Sequence, residues 1–254
     1  MLSVLLLAVS TTGCGSTEDG PAADGSSTAG AGLKVVASTS WVGALAKAAG
    51  AAEVTVIAPA NVQHPPDYEP KPSDLASVGE ADYVLYSEFD GFATKINEAV
   101  GGTGTLVAVE LENTPAKIRS EVTRLGEMFG TEAAAANWLT NFDTEYQSLS
   151  EQVKAEVPNP APVTVTQLFM AYWADFAGLS VAATYGPAPI TPAELSELVA
   201  QKPTLVLANY HMSGMGPDLV GAKRAELINF PGDDLDLLEV FRTNAERISA
   251  ALAE

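Results

Sequence analysis

Short apolar runs alternate with segments of helical spacing from residue 33 to the end of the chain. The runs predict buried β-strands because they are rich in Val, Leu, Ile and Tyr and stop at Pro, Gly or polar residues. We predict strands at 33–37, 54–57, 83–86, 106–109, 163–166, 179–183, 204–208 and 226–229. Strands separated by helices are typical of parallel sheets with helices on both faces.

A long helical region follows the fourth predicted strand. It begins at Pro115, is interrupted at Gly130 and ends near Glu156, and its second part has one apolar stripe that includes Phe142 and Tyr146. A helix of about 25 residues is roughly 37 Å long, enough to reach from one lobe to another. The predicted fold class is therefore α/β, with two doubly wound lobes joined by one long bridging helix and a ligand cleft between them.

Capping residues predict where other helices begin. Ser73 is expected to cap a helix over 73–79, with Asp74 in its first turn. Thr191 and Pro192 predict the start of another helix. Further helices are expected over 167–177 and 233–252, the second of them amphipathic.

The first 14 residues contain an apolar run that ends in small residues and Cys14, the chain's one cysteine. This run is too short to span a bilayer and resembles the end of a bacterial lipoprotein signal, in which the cysteine carries the lipid. Residues 15–32 consist of Gly, Ser, Ala, Thr, Pro and acids, which predicts a flexible tether. We expect a signal peptide (1–14), the tether (15–32), an N-terminal α/β lobe (33–130), the bridging helix (131–157) and a C-terminal α/β lobe (158–254). The expected location is extracytoplasmic, with a lipid anchor in the bacterial cell membrane.

The net charge of −19, from 32 acidic and 13 basic residues, excludes a nucleic-acid partner because such a surface repels phosphates. An acidic balance suits a protein that handles cations, although solubility explains it equally well. The chain has no G-x-S-x-G elbow, phosphate loop or H-E-x-x-H motif, and its cysteine lies in the leader. We therefore do not expect an enzyme.

Three stretches are similar to the solute-binding lipoproteins of zinc- and manganese-type ABC transporters. They are VVASTSWVGALAKAAG (35–50), HPPDYEPKPSDLASVGEADYVLYSEFDGF (64–92) and AELSELVAQKPTLVLANY (193–210). The resemblance implies a monomeric receptor that captures a divalent metal ion and delivers it to a permease. Zn²⁺ is the expected cargo, with Mn²⁺ or iron as alternatives. Histidines that the family places in its site fall here at Pro66, Gln167 and the segment 112–115, so the resemblance implies an atypical metal site.

The chain's two histidines, His64 and His211, both lie in loops that follow predicted strands, one in each lobe. Such loops are where open α/β sheets bind ligands. Zinc is usually held by four nitrogen, sulfur or oxygen donors, so carboxylates must join the two imidazoles. The predicted metal ligands are His64, His211, Glu88 and Asp233. The predicted remainder of the ligand cleft is Asp67, Gln167, Tyr210, Met212 and Met215.

Two alternatives remain open. Met212 and Met215, flanked by glycines in a loop, suit a chelated metal or a small organic ligand in the same cleft better than a bare cation. Phe169, Tyr172 and Trp173 would fit that interpretation, but their helical spacing is more typical of core residues. An adhesion or interaction lipoprotein on the same fold is the other alternative.

Overall fold

The computed structural model describes residues 32–100, 104–110, 112–212, 214 and 216–253, and these residues form two parallel β-sheets. The first sheet contains β1 (Lys34–Ala37), β2 (Glu53–Val56), β3 (Tyr83–Tyr86) and β4 (Thr105–Ala108) in the order β2-β1-β3-β4. The second contains β5 (Thr164–Gln167), β6 (Val181–Tyr185), β7 (Leu205–Asn209) and β8 (Lys223–Leu227) in the order β6-β5-β7-β8. The two sheets therefore have the same topology, in which the first strand of each sheet lies between its second and third strands.

Eight α-helices connect and cover the sheets within the described residues. They are α1 (Ser40–Ala48), α2 (Pro72–Ala76), α3 (Ala93–Ala99), α4 (Pro115–Phe129), α5 (Glu132–Glu156), α6 (Tyr172–Ala177), α7 (Pro192–Ala200) and α8 (Leu237–Ala253). Short 3₁₀ turns occupy Pro65–Asp67, Ser77–Glu80, Leu168–Met170 and Tyr210–Met212. No described helix has the length and apolar character needed to cross a membrane.

The bridging helix predicted from the sequence is α5. It is 25 residues long and packs against α1 and α4 of the first lobe and against α6 and α8 of the second. Gly130 separates it from α4 by adopting the left-handed conformation (φ 67°), which glycine enters without a steric penalty. The hydroxyl of Thr131 donates to the carbonyl of Ala49 at 2.5 Å, which ties the bend to the end of α1.

One hydrophobic core continues through both lobes and the bridging helix. Its aromatic centre joins three elements, since the Phe241 ring lies 5.2 Å from that of Phe142 and 5.0 Å from that of Trp173 between centroids. All three side chains are at most 1% exposed. A shared core of this kind disfavours wide movement of one lobe against the other, because such movement would expose apolar surface.

Two local predictions are corrected by the structure. The second helix begins at Pro72, with Lys71 rather than Ser73 at the N-cap, because proline is favoured in the first turn and Asp74 accepts the N–H of Lys71 at 2.9 Å. Gln167 ends β5 instead of beginning a helix. Its side-chain oxygen accepts the N–H of Phe169 at 2.7 Å, which closes a 3₁₀ turn and delays the helix to Tyr172.

Candidate functional site: a cleft between the two lobes

A cavity of about 580 Å³ lies between the lobes, at the carboxyl ends of both sheets. Its lining comes from segments that follow the strands β2, β3, β4, β5, β6, β7 and β8. The lining residues are His64, Pro66, Phe89, Glu112, Asn113, Thr114, Leu168, Phe169, Ala171, Tyr172, Pro187, Asn209, His211, Met212, Asn229 and Phe230. Open α/β sheets bind ligands at this end of their strands, so the cleft is the candidate site.

His211 is 9% exposed, and both of its ring nitrogens face backbone groups. Nδ1 lies 3.0 Å from the carbonyl oxygen of Gln63, to which it donates, and Nε2 accepts the N–H of Phe230 at 3.3 Å. Burial lowers the pKa of His211 to about 4, so the ring is neutral at physiological pH. A neutral imidazole is the form that binds metal ions.

His64 lines the same cavity from the first lobe, in the loop after β2. Its Nδ1 lies 2.9 Å from a carboxylate oxygen of Asp67, although the two groups are not aligned as a good hydrogen bond. His211 contacts the carbonyl of Gln63, the residue that directly precedes His64, so the two histidines lie on neighbouring segments from opposite lobes. The structure therefore brings the chain's two imidazoles to one cleft.

Two hydrogen bonds join the lobes beside this cleft. The side-chain amide of Gln63 donates to the carbonyl of Tyr210 at 2.6 Å, next to the bond between His211 and the carbonyl of Gln63. The ring of Tyr210 is 42% exposed and lies outside the lining, with the guanidinium of Arg247 5.6 Å from its centroid. Tyr210, predicted as a cleft residue, thus contributes its backbone to the lobe interface.

The other predicted ligands are not gathered around the imidazoles. Glu88 and Asp233 are exposed and do not line the cavity. Asp67 is also absent from the lining, although its carboxylate lies 2.9 Å from Nδ1 of His64. Within the part of the chain that the structure describes, no group of three or more His, Cys, Asp or Glu side chains could hold a metal ion. The predicted four-ligand set is therefore not assembled in this structure, because Glu88 and Asp233 lie outside the cleft lining.

The remaining predicted cleft residues differ in position. Met212 lines the cavity, and its sulfur lies 3.5 Å from the side-chain nitrogen of Gln167. Gln167 itself faces a neighbouring cavity of about 10 Å³ beside Tyr185, with room for a single water molecule. Met215 and Cys14 lie outside the described residues.

Sequence reasoning missed most of the apolar lining. Trp173 is a core residue as expected, but Phe169 is 48% exposed and, with Tyr172, lines the cleft. Phe89 faces it from the other lobe and is 80% exposed. The end of β5 at Gln167 moves Phe169 out of the helix, so the helical spacing that suggested a core position does not apply to it.

Two asparagines add unpaired polar groups to this lining. Asn113 follows β4 and Asn229 follows β8, and the side-chain oxygen of each is buried without a hydrogen-bond partner among the described residues. Glu112 is the single acidic residue among the described lining residues, and none of them is Lys or Arg. The cleft is therefore mainly apolar and neutral, with one carboxylate at its edge.

Residues 35–124 match the family model ZnuA, described as zinc-uptake complex component A, periplasmic. The match runs from β1 into α4 and includes the loop that carries His64. The resemblance seen in the sequence is thereby confirmed. The search of curated proteins found no significant match.

Solved structures with the same fold cover nearly the whole of the described chain. FpvC of P. aeruginosa in complex with Ni²⁺ is 17% identical, with a TM-score of 0.65 over 87% of this chain and 96% of FpvC. The Mn-bound periplasmic metal-binding protein of Candidatus Liberibacter asiaticus is 13% identical, with a TM-score of 0.63 over 87% and 99%. The laminin-binding protein Lbp of Streptococcus pyogenes is 18% identical, with a TM-score of 0.62 over 86% and 98%. These likenesses confirm the predicted two-lobed fold class.

Proposed function

We propose that this protein is the extracytoplasmic solute-binding component of an ABC importer and that it carries a divalent metal ion to a permease. The observation that carries the proposal is the pair of imidazoles in the interlobe cleft. Nδ1 of His211 donates to the carbonyl of Gln63, and Nδ1 of His64 lies 2.9 Å from a carboxylate oxygen of Asp67 without an aligned hydrogen bond. Histidines that bind metals commonly donate from one ring nitrogen to an oxygen, as His211 does, and bind the metal through the other.

The family match supports this function, because it falls on the lobe that contributes His64. Zn²⁺ is the cargo we propose first, because the matching family model is described as a zinc-uptake component. Mn²⁺ and iron are the alternatives, and neighbouring structures are described with manganese, nickel, cadmium or zinc. To bind a metal through Nε2, His211 exchanges its 3.3 Å contact with the N–H of Phe230 for a coordinate bond. That contact is long for a hydrogen bond, so the exchange has a modest cost.

An uptake component binds and releases its cargo without chemical turnover, which agrees with the prediction that the chain is not an enzyme. The adhesion alternative has weaker support. One structural neighbour is described as laminin-binding, but the likeness to it is one of fold. The features that distinguish the cleft, an imidazole from each lobe and an apolar lining, serve a small cargo rather than a protein partner.

We also propose that the protein is a monomer anchored to the membrane by a lipid on Cys14. The division into signal peptide (1–14), tether (15–32), lobes (33–130 and 158–254) and bridging helix (131–157) is part of this proposal. Mass spectrometry of the protein extracted from its native membrane would show an acylated N-terminus at Cys14. An unmodified cysteine there would contradict the anchor and leave the cargo assignment unaffected.

The metal function is tested by purifying the protein without chelators, measuring its metal content by elemental analysis and titrating a panel of divalent cations by calorimetry. We expect a transition metal to bind near one equivalent and binding to fall at least about tenfold in His64→Ala. Glu197→Gln, on the exposed face of α7, is the matched control and should bind as the wild type does. Equal binding by His64→Ala and the wild type would contradict the proposal, and so would failure of the wild type to bind a metal either as the free ion or as a complex.

A further inference from the structure

The cleft supplies fewer metal ligands than a bare zinc ion needs. Structural zinc sites usually have four protein donors in a tetrahedron, and catalytic sites have three. Here, across the described residues, His64 and His211 are the two nitrogen donors in the lining, and no third His, Cys, Asp or Glu completes a cluster with them. The described side chains therefore form no ready-made metal cluster, and a cargo that brings donor atoms of its own would complete the coordination.

The cleft is also far larger than a cation. Its volume of about 580 Å³ lies within the range of about 300–1,000 Å³ that is typical of sites for organic molecules. Apolar side chains from both lobes border it while remaining substantially exposed: Phe89 at 80%, Phe169 at 48% and Leu168 at 45%. A hydrated metal ion would leave these surfaces in water, whereas a cargo with an organic part would cover them and gain from their burial.

The polar groups of the lining indicate which functional groups and which charge the cargo should carry. The carboxamides of Asn113 and Asn229 come from opposite lobes, and each has an oxygen without a partner among the described residues. Leaving such oxygens unpaired is costly, so a cargo with hydrogen-bond donors, such as water molecules bound to its metal, stabilises the site. Glu112 is the charged side chain of the lining, and none of the described lining residues is Lys or Arg. The cleft therefore favours a neutral or positively charged cargo over an anion.

We infer that the cargo enters as a metal chelate, in which a compact uncharged ligand with an aromatic or aliphatic surface already holds the divalent ion. The organic part packs between Phe89 and Phe169, and His64 and His211 complete the coordination of the metal from opposite lobes. This inference rests on the proposed function and deepens it by naming the form of the cargo. It makes the apolar lining a determinant of specificity and the two imidazoles the groups that recognise the metal.

The test compares Zn²⁺ alone, the equimolar zinc complexes of phenanthroline and of bipyridine, the two metal-free ligands, and the anionic complex of zinc with EDTA. Binding is measured by calorimetry on the full chain. We expect at least one of the two cationic complexes to bind about tenfold or more tightly than Zn²⁺ alone and than its own metal-free ligand. The zinc–EDTA complex should not bind.

Substitutions in the cleft test the contribution of the organic part of the cargo separately from that of the metal. Phe169→Ala should weaken binding of the chelate about tenfold, the size expected for a central aromatic contact, and leave the affinity for Zn²⁺ unchanged. Val199→Ala is the matched control, because Val199 is 54% exposed on α7 and does not line the cleft. His64→Ala should weaken binding of the chelate but not that of the metal-free ligand.

The outcomes distinguish this inference from the proposed function. If Zn²⁺ alone binds as tightly as both complexes, or if Phe169→Ala leaves the chelate affinity intact, the inference is overturned and metal transport stands. If a metal-free ligand binds as tightly as its complex, the cargo is organic and both are overturned. Failure of Zn²⁺ and of both complexes to bind also overturns both.

Discussion

Protonation of His211 should destabilise the protein as the pH falls below about 6.5. The ring is buried, and its Nε2 accepts a hydrogen bond from Phe230, so a proton on that nitrogen removes the bond and places a charge in an apolar site. Burial lowers the pKa from 6.5 to about 4 in the folded protein. The unfolded chain therefore binds this proton at a higher pH than the folded one.

The size and sign of the effect follow from the two pKa values. Above pH 6.5 neither state is protonated at His211, and its contribution to the free energy of unfolding is constant. Below that value the unfolded state gains protons first, so stability falls until the folded ring also titrates near pH 4. Between about pH 7.5 and about pH 5, the difference amounts to about 2 kcal/mol.

The assay is urea unfolding at those two pH values, followed by tryptophan fluorescence, with a chelator present to remove metal ions. His211→Gln should lose about 2 kcal/mol less than the wild type on acidification, whatever its stability at neutral pH. His64→Gln removes the chain's other imidazole and serves as the matched control. If His211→Gln and the wild type show the same loss on acidification, the neutral, doubly bonded His211 described above is wrong.

Three further predictions concern the frame that holds the cleft. Phe142→Ala should lower the free energy of unfolding by about 3–5 kcal/mol, because the side chain is fully buried where the bridging helix meets α8. Phe89→Ala is the control and should change the free energy of unfolding by less than about 1 kcal/mol. Gly130→Ala should cost about 1 kcal/mol in the same assay, since alanine at a φ of 67° is strained. X-ray scattering curves with and without cargo should nearly superimpose, and a large decrease in the radius of gyration would contradict a rigid bridge.

The fold could be predicted from the sequence wherever local signals agree with tertiary structure. The apolar run 83–86 is bounded by polar residues on both sides and matches β3. Gly130 marks the end of α4 because few other residues accept a left-handed backbone. The last helix begins later than predicted, at Leu237, because Asp236 accepts the N–H of Leu238 at 2.9 Å. The sequence alone does not show which turn an aspartate caps in an amphipathic segment.

The candidate site was less predictable, because its lining is decided by the placement of the two lobes. Both histidines could be selected as loop residues that follow strands, and both do line the cleft. Glu88 and Asp233 lie in similar loops but are exposed outside the cleft lining, and nothing in their local sequence distinguishes them from Asn113 and Asn229, which line the cleft. That difference depends on contacts between segments more than a hundred residues apart.

The bridging helix fixes the spacing of the two lobes and so affects which cargo the cleft can bind. Because α5 packs on both lobes and one core continues through them, the distance across the cleft is largely determined before any cargo arrives. A site of this kind cannot gather distant carboxylates around a small ion by closing widely, as a hinged pair of domains can. We expect it to select a cargo that fits the existing space, with the release of His211 from the N–H of Phe230 as the local change on binding. A rigid frame with two imidazoles and exposed aromatic rings on its inner face is therefore better suited to an ion that already carries organic ligands than to a bare one.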